Sequence, residues 1–267
     1  MSNGSGGTDE GFENIDDVDD RRVIGRRIVW HREVGSTMDE AHRAGAADEP
    51  EGLVIGADSQ TRGRGRLQRR WLSTPGGALL LSVLLRPDNR LAPLVPVIAA
   101  VAVARTIDAF TMAGVSLKWP NDVLVAGRKI AGVIAEASYG PGGSYIALGL
   151  GLNVNLKPAA VPEISHLATS LREVNGEPAS RSAVLRRLLK ELDDVYAEAR
   201  VGQAIIDEWR ARLDTLGKRV SVLWADETLT GLAEDVDGDG RLLLRDPGGT
   251  LHTLSAGDVT VLPERQT

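Results

Sequence analysis

The chain has 267 residues, 42% of them hydrophobic and 25% charged, with a formal net charge of −6 and no cysteine. The length suits one substantial domain, or one with a small appendage. The missing cysteines exclude disulfides, thiolate metal sites and a cysteine nucleophile, and the acidic balance argues against a charge-driven nucleic-acid binder.

Residues 1–22 are rich in Gly, Ser, Asp and Glu and read as a disordered acidic tail. No secretory signal is visible there. The longest apolar run, 94–113, is interrupted by Pro96, Arg105 and Asp108 and is no membrane span, so a cytoplasmic location without membrane contact is expected. Alternation over 27–33 predicts a strand, and Ser36 is placed to cap a helix over 37–44 with Asp39 and Glu40 in its first turn. Strands are expected at 52–57 and 78–85, a mostly buried helix at 93–112, and strands at 115–119, 123–125, 130–137 and 145–154. Apolar residues at Val184, Leu185, Leu188, Leu189, Leu192, Val195 and Tyr196 recur at the helical period over 181–200. A second helix follows at 203–213. After Gly217 come short strands at 219–224, 228–236, 242–245 and 250–254, which suggest a small barrel. No internal repeat is visible.

Three segments carry chemistry. The first is Gln60-Thr61-Arg62-Gly63-Arg64-Gly65-Arg66-Leu67-Gln68-Arg69-Arg70-Trp71. Its glycines let backbone N–H groups approach an anion, its arginines can grip phosphate oxygens in pairs, and Trp71 can stack on an adenine or cover an acyl chain. Alone, it also reads as a solvated basic run or an Arg/Gly nucleic-acid segment. The second is Lys118-Trp119-Pro120-Asn121-Asp122, followed by Lys129-Ile130-Ala131-Gly132-Val133-Ile134-Ala135-Glu136. Two lysines beside an Asn-Asp pair, in otherwise strand-like sequence, suggest a phosphate-bearing ligand and a divalent metal. The third is Gly149-Leu150-Gly151-Leu152-Asn153-Val154-Asn155. It lacks the third glycine of a dinucleotide fingerprint.

These segments, in this order, resemble the biotin protein ligases, whose pattern is roughly GRGRxGRxW, KWPND, K-[ILV]-AG-[IV]-L-x-E and G-[IL]-G-[IL]-N. Gly35-Ser36-Thr37-Met38-Asp39 is similar to the family's substrate-binding Ser-Thr turn. The resemblance implies an α+β fold: a mixed-sheet, biotin/lipoate ligase-like catalytic domain over 23–215 and a small SH3-like β-barrel over 216–264. It implies an enzyme that forms biotinyl-5'-AMP from biotin and ATP with Mg²⁺, then passes biotin to a lysine of a biotin carboxyl carrier domain.

Carried over residue by residue, it implies biotin contacts from Ser36, Thr37, Gln60, Gly63, Arg64, Gly65, Arg66, Lys129, Gly132 and Gly151. ATP contacts fall to Arg64, Arg66, Arg69, Trp71, Lys118, Asn121, Asp122, Lys129 and Asn153. Lys129, Arg66 and Asp122 are the implied catalytic groups, with Asp122 open between metal ligand and base. Leu67-Gln68 departs from the usual Arg-Gly or Leu-Gly. Leu67 itself suggests nothing unusual, but Gln68 in place of Gly would strain a backbone that needs positive φ.

The alternatives are a lipoate ligase of the same fold type, a biotin-responsive DNA-binding repressor, and a non-catalytic biotin-binding module. About twenty polar residues precede the catalytic region, too few for a helix-turn-helix domain, so no specific DNA binding is expected. Family members are often homodimers, which the sequence itself does not show. Asp235-Val236-Asp237-Gly238-Asp239-Gly240, with Asp246, loosely fits a calcium loop, but its strand-like flanks favour a turn. His31, His42, His166 and His252 show no ligand spacing and are assigned no role.

Overall fold

A computed structural model describes residues 23–67, 69–202, 205–224 and 227–263. The acidic tail and Gln68 lie outside the described residues.

Seven strands form one mixed sheet: β1 (Ile28–Val34), β2 (Val54–Gln60), β3 (Ala78–Leu85), β4 (Val115–Lys118), β5 (Asp122–Val125), β6 (Arg128–Gly140) and β7 (Gly143–Asn153). Their order is β1-β2-β3-β7-β6-β5-β4. β1 and β2 run parallel, and the other neighbours are antiparallel. β3 is buried on both faces, which is why it reads as an apolar run broken only by Ser82 instead of alternating.

One face carries Leu79, Leu81 and Val83 of β3 with Leu148, Leu150 and Leu152 of β7, packed in a core with α2 (Val95–Asp108) and α4 (Arg181–Arg200). The other face is covered at one end by α1 (Thr37–Ala46), where Met38 and Ala41 meet Leu84, Tyr145 and Ala147. Ser82 and Gly149 lie under Thr37 and Met38 at the start of α1, and beyond them the strands present Gly151 and Asn153. A short helix α3 (Leu171–Asn175) and a further helix α5 (Ile205–Arg212) complete the domain. No helix among the described residues is long and apolar enough to cross a membrane.

The second sheet is antiparallel: β8 (Arg219–Trp224), β9 (Glu227–Val236), β10 (Leu242–Arg245), β11 (Leu251–Leu254) and β12 (Asp258–Val261), in the order β11-β10-β9-β8-β12. It forms the SH3-like C-terminal domain, open between β11 and β12 among the described residues. Asp237 sits in the tight turn joining β9 to β10, its Oδ1 accepting from the Asp239 and Arg241 amides, which is the turn expected of the calcium-like segment.

The domains are pinned through Trp119. Its buried indole N–H donates to the Gly240 carbonyl at 3.0 Å, and its backbone N–H donates to Thr215 Oγ1 at 3.0 Å.

Several elements differ from the sequence expectation, among them the unread short helix α3. The helix expected over 93–112 starts with a 3₁₀ turn at Ala92–Leu94 and ends at Asp108. Pro93 and Pro96 suit a first turn because proline has no N–H to lose there. The last buried apolar residue is Ile107, after which the chain tightens with Phe110 N–H on the Ile107 carbonyl. The β6–β7 hairpin is longer than expected. β12, four residues paired far away on β8, went unread.

Candidate active site

Two adjoining cavities open on the α1 face of the sheet, the first beside the N-terminal end of that helix. The first encloses about 50 Å³ between Ser36, Gln60, Arg66, Trp71 and the backbone of Gly132 and Gly151. The second encloses about 410 Å³ between Arg69, Trp71, Lys118, Asp122, Asn153 and the segment around Leu167. Lys129 and Trp71 line both.

Lys129 reaches this position through a strand irregularity. On β5, Val123 pairs with Ala131 but Leu124 pairs with Lys129, leaving Ile130 as the extra residue of a bulge. A regular strand would put Lys129 and Gly132, three positions apart, on opposite faces. The bulge turns Lys129 onto the face shared by Asp122, Leu124 and Gly132, while Ile130 stays fully buried. Lys129 Nζ then pairs with Asp122 Oδ1 at 2.6 Å and lies 5.4 Å from the Trp71 ring centroid. The backbone is held from the other side as well. Lys129 N–H donates to the Leu167 carbonyl and its carbonyl accepts from Thr169 N–H, both at 2.9 Å.

Two glycines make the first cavity possible. A Cβ at Gly151 would lie 2.4 Å from the Trp71 ring, and one at Gly132 would lie 3.0 Å from both Lys129 Nζ and Trp71. Trp71 therefore rests directly on strand backbone. At about 50 Å³ the space left suits water rather than an organic ligand.

At the start of α1, Gln60 Oε1 accepts from the Thr37 amide at 2.7 Å and from Thr37 Oγ1 at 3.2 Å, while Ser82 donates to Thr37 Oγ1 at 2.8 Å. Ser36 takes the N-cap backbone geometry but makes no capping hydrogen bond, so the expected side-chain cap is corrected; Gln60 instead satisfies the Thr37 N–H, the first of the helix. The Ser36 hydroxyl is buried with no partner. Asn153 Oδ1, beside the second cavity, and Trp71 Nε1, between the two, are unpartnered as well. Buried polar atoms are rarely left so without a ligand or water to complete them.

The Arg/Gly segment folds into a compact turn. Gly65 N–H donates to the Arg69 carbonyl at 2.7 Å and Arg69 N–H to the Arg66 carbonyl at 3.0 Å. The Gly65 amide is thus taken within the loop, correcting the expectation that it faces an anion. Gly63 accepts from Trp71 N–H at 3.1 Å and lines an outer hollow instead of the first cavity. Among the described residues of the turn, positive φ falls on Leu67, at 51°, a strained conformation for this side chain. Arg64 pairs with Asp39 and Glu136 on the first-cavity side. Arg66 donates to Asn121 Oδ1 at 3.1 Å and to the Gly257 carbonyl at 3.3 Å. Burial lowers the Arg66 guanidinium from its ordinary value; the Asp122 and Asp258 carboxylates oppose this, and Arg69 adds to it. A guanidinium keeps its proton regardless, so a half-buried cation faces the cavity and an incoming anion would stabilise it.

Residues 31–153 match the Biotin/lipoate A/B protein ligase family and residues 215–262 match the Biotin protein ligase C terminal domain. The chain is 36% identical over 258 residues to the Biotin–[acetyl-CoA-carboxylase] ligase of Mycobacterium tuberculosis, covering 90% of this chain and 93% of that one. The chain belongs to the biotin protein ligase family. It is also 32% identical to the Bifunctional ligase/repressor BirA of Bacillus subtilis, over 88% of this chain and 74% of the relative. Among solved structures, the biotin protein ligase from Aquifex aeolicus in complex with biotin and ATP superposes with a TM-score of 0.76 at 29% identity, covering 89% of this chain and 99% of that one.

In this member of the biotin protein ligase family, the residues that sequence assigned to biotin line the first cavity, apart from Gly63. Those assigned to ATP divide. Arg69, Trp71, Lys118, Asp122, Lys129 and Asn153 line the second cavity, whereas Arg64, Arg66 and Asn121 line the first. Asn121 acts as a bracket, since its Nδ2 also donates to the Val133 carbonyl at 2.8 Å. Sequence reasoning missed Met38, which closes the first cavity against Gly149, and the Ile164–Leu167–Ala168 wall of the second. It also gave no role to His42, whose Nε2 lies 2.9 Å from Glu136 Oε2 and so braces the carboxylate that holds Arg64. Met38 carried a weak signal in its place beside the Ser-Thr pair.

Proposed function

We infer that this chain is an ATP-dependent biotin protein ligase whose chemistry is centred on Lys129. The observation that carries the assignment is the position of that ammonium at the seam of the two cavities; in this reading biotin takes the first and ATP the second. A compact, rotatable point charge suits a place where two anions must meet.

In the first step a biotin carboxylate oxygen attacks the α-phosphorus of ATP. The bond to the bridging oxygen breaks and pyrophosphate leaves. Holding both reactants at one seam supplies proximity. Lys129 and Arg66 offset the charge gathered on the carboxylate and the α-phosphate, and Asp122 holds Lys129 in line until the substrates arrive. In the second step the neutral ε-amine of an acceptor lysine on a biotin carboxyl carrier domain attacks the acyl carbon of the mixed anhydride. The acyl–oxygen bond breaks, AMP leaves and the new amide loses a proton.

Ser36 completes a ureido hydrogen bond, Trp71 covers the acyl chain once displaced from Gly151, and Asn153 faces the nucleotide. Asp122 is the single carboxylate on the second cavity, and no group of three or more acidic or histidine side chains among the described residues could hold a metal. Such a donor set fits Mg²⁺ that arrives with the nucleotide, taking ligands from phosphates, water and Asp122. The metal would neutralise phosphate charge.

Pyrophosphate release from ATP and Mg²⁺, with biotin and then with lipoate and no acceptor present, tests the reading. Release with biotin is expected. Release with lipoate alone would move the substrate while keeping the fold, and silence with both would leave a binding module.

A further inference from the structure

The Arg/Gly turn is held at both ends, and one of its holders belongs to the C-terminal domain. Arg69 N–H closes back on the Arg66 carbonyl, and both side chains reach the C-terminal domain. Arg66 meets the Gly257 carbonyl at 3.3 Å, and Arg69 forms an ion pair with Asp258, with a second contact at 3.5 Å. The acceptor segment is closely packed. A Cβ at Gly257 would lie 2.5 Å from Val222 Cγ1 and 3.6 Å from the Trp119 ring, so Gly257 is wedged between the second sheet and the residue that pins the domains. Asp258 opens β12 and pairs in register with Leu223. Five arginines lie within nine residues, 62–70, of this segment and repel one another. Asp39 and Glu136 offset that repulsion at the Arg64 end, and Asp258 offsets it at the far end.

We propose that Asp258 is a positioning residue of the C-terminal domain that clasps the Arg/Gly turn shut over the reaction seam and so retains the adenylate. It touches neither substrate and acts through Arg69 and, by its charge, Arg66. The proposal rests on the ligase reading for its consequence, while the clasp itself is a property of the ligand-free chain.

Two measurements on the full chain, wild type against Asp258→Asn and Asp258→Glu, test it. The first is the rate of trypsin cleavage after the arginines of 62–70, read by fragment mass without any ligand. Asp258→Asn should be cut there about two- to fivefold faster, the size expected for a half-exposed ion pair, with other sites unchanged and Asp258→Glu near wild type. The second is pyrophosphate release with biotin, ATP and Mg²⁺ but no acceptor. The first equivalent should form at the wild-type rate within about twofold, whereas release beyond one equivalent, which reports adenylate escape, should rise by a similar two- to fivefold. Unchanged cleavage at 62–70 overturns the clasp. Faster cleavage with unchanged later release overturns its role in retention. A slowed first equivalent makes Asp258 part of the chemistry and also overturns the proposal. Should the wild type release no pyrophosphate with biotin, the ligase reading fails and with it the retention claim, while the cleavage rates still decide the clasp.

Discussion

The two cavities that meet at Lys129 differ in what builds them. The first, of about 50 Å³, is floored by backbone at Gly132 and Gly151, roofed by Trp71 and edged by Thr37 and Gln60, which hold each other, and by the unpartnered Ser36 hydroxyl. The second, of about 410 Å³, is walled by long side chains such as Arg69 and Lys118, and two of its walls come from distant chain segments. The first is shaped by sterics, so a methyl group there changes fit. The second is shaped by charge, so a single side chain there changes affinity by the modest amounts typical of half-exposed ion pairs. Lys129 belongs to both, and its loss is expected to affect them together.

That contrast can be broken in four ways. Lys129→Ala should reduce biotin-dependent pyrophosphate release by about 10²–10³-fold, as for removal of one preorganised donor at a charged transition state; near-wild-type release would deny the seam its role. Gly151→Val places methyl groups in the space that opens for biotin once Trp71 is lifted from the Gly151 backbone it now rests on. Overpacking of this kind costs about 1–3 kcal/mol, so the KM for biotin should rise roughly tenfold to a hundredfold, with the KM for ATP within about twofold. Equal rises in both would show that the cavities are not separable. Arg69→Ala should do the reverse at smaller scale, raising the KM for ATP about three- to tenfold and leaving that for biotin unchanged. Ser36→Ala should weaken biotin binding by about 0.5–1.5 kcal/mol in calorimetry. Because the Ser36 hydroxyl has no partner in the ligand-free chain, Tm should not fall. A lower Tm would return Ser36 to a structural role.

The same division explains what could be read from sequence. Residues assigned to a ligand by their own chemistry were visible as types at fixed spacing: the arginines of 62–70, the Asn-Asp pair and Lys129. What was hidden depends on pairing between distant strands. Nothing in Lys129-Ile130-Ala131-Gly132 announces that Ile130 is a bulge, yet the bulge decides which face Lys129 takes. The wall at Leu167 and Ala168 is joined to Lys129 by backbone hydrogen bonds that no local pattern encodes. Trp119, read only as part of a motif, pins the two domains through Gly240. Ser36 shows the opposite error: its N-cap position was legible, but a helix N–H satisfied from β2 by Gln60 was not.

The most direct test of the seam is a crystal structure of the chain with biotin and a non-hydrolysable ATP analogue. Lys129 Nζ is predicted within hydrogen-bond reach of both the biotin carboxylate and the α-phosphate, with Trp71 lifted from Gly151. A complex in which the carboxylate and α-phosphate meet out of reach of Lys129, with Trp71 still seated on Gly151, would contradict the account.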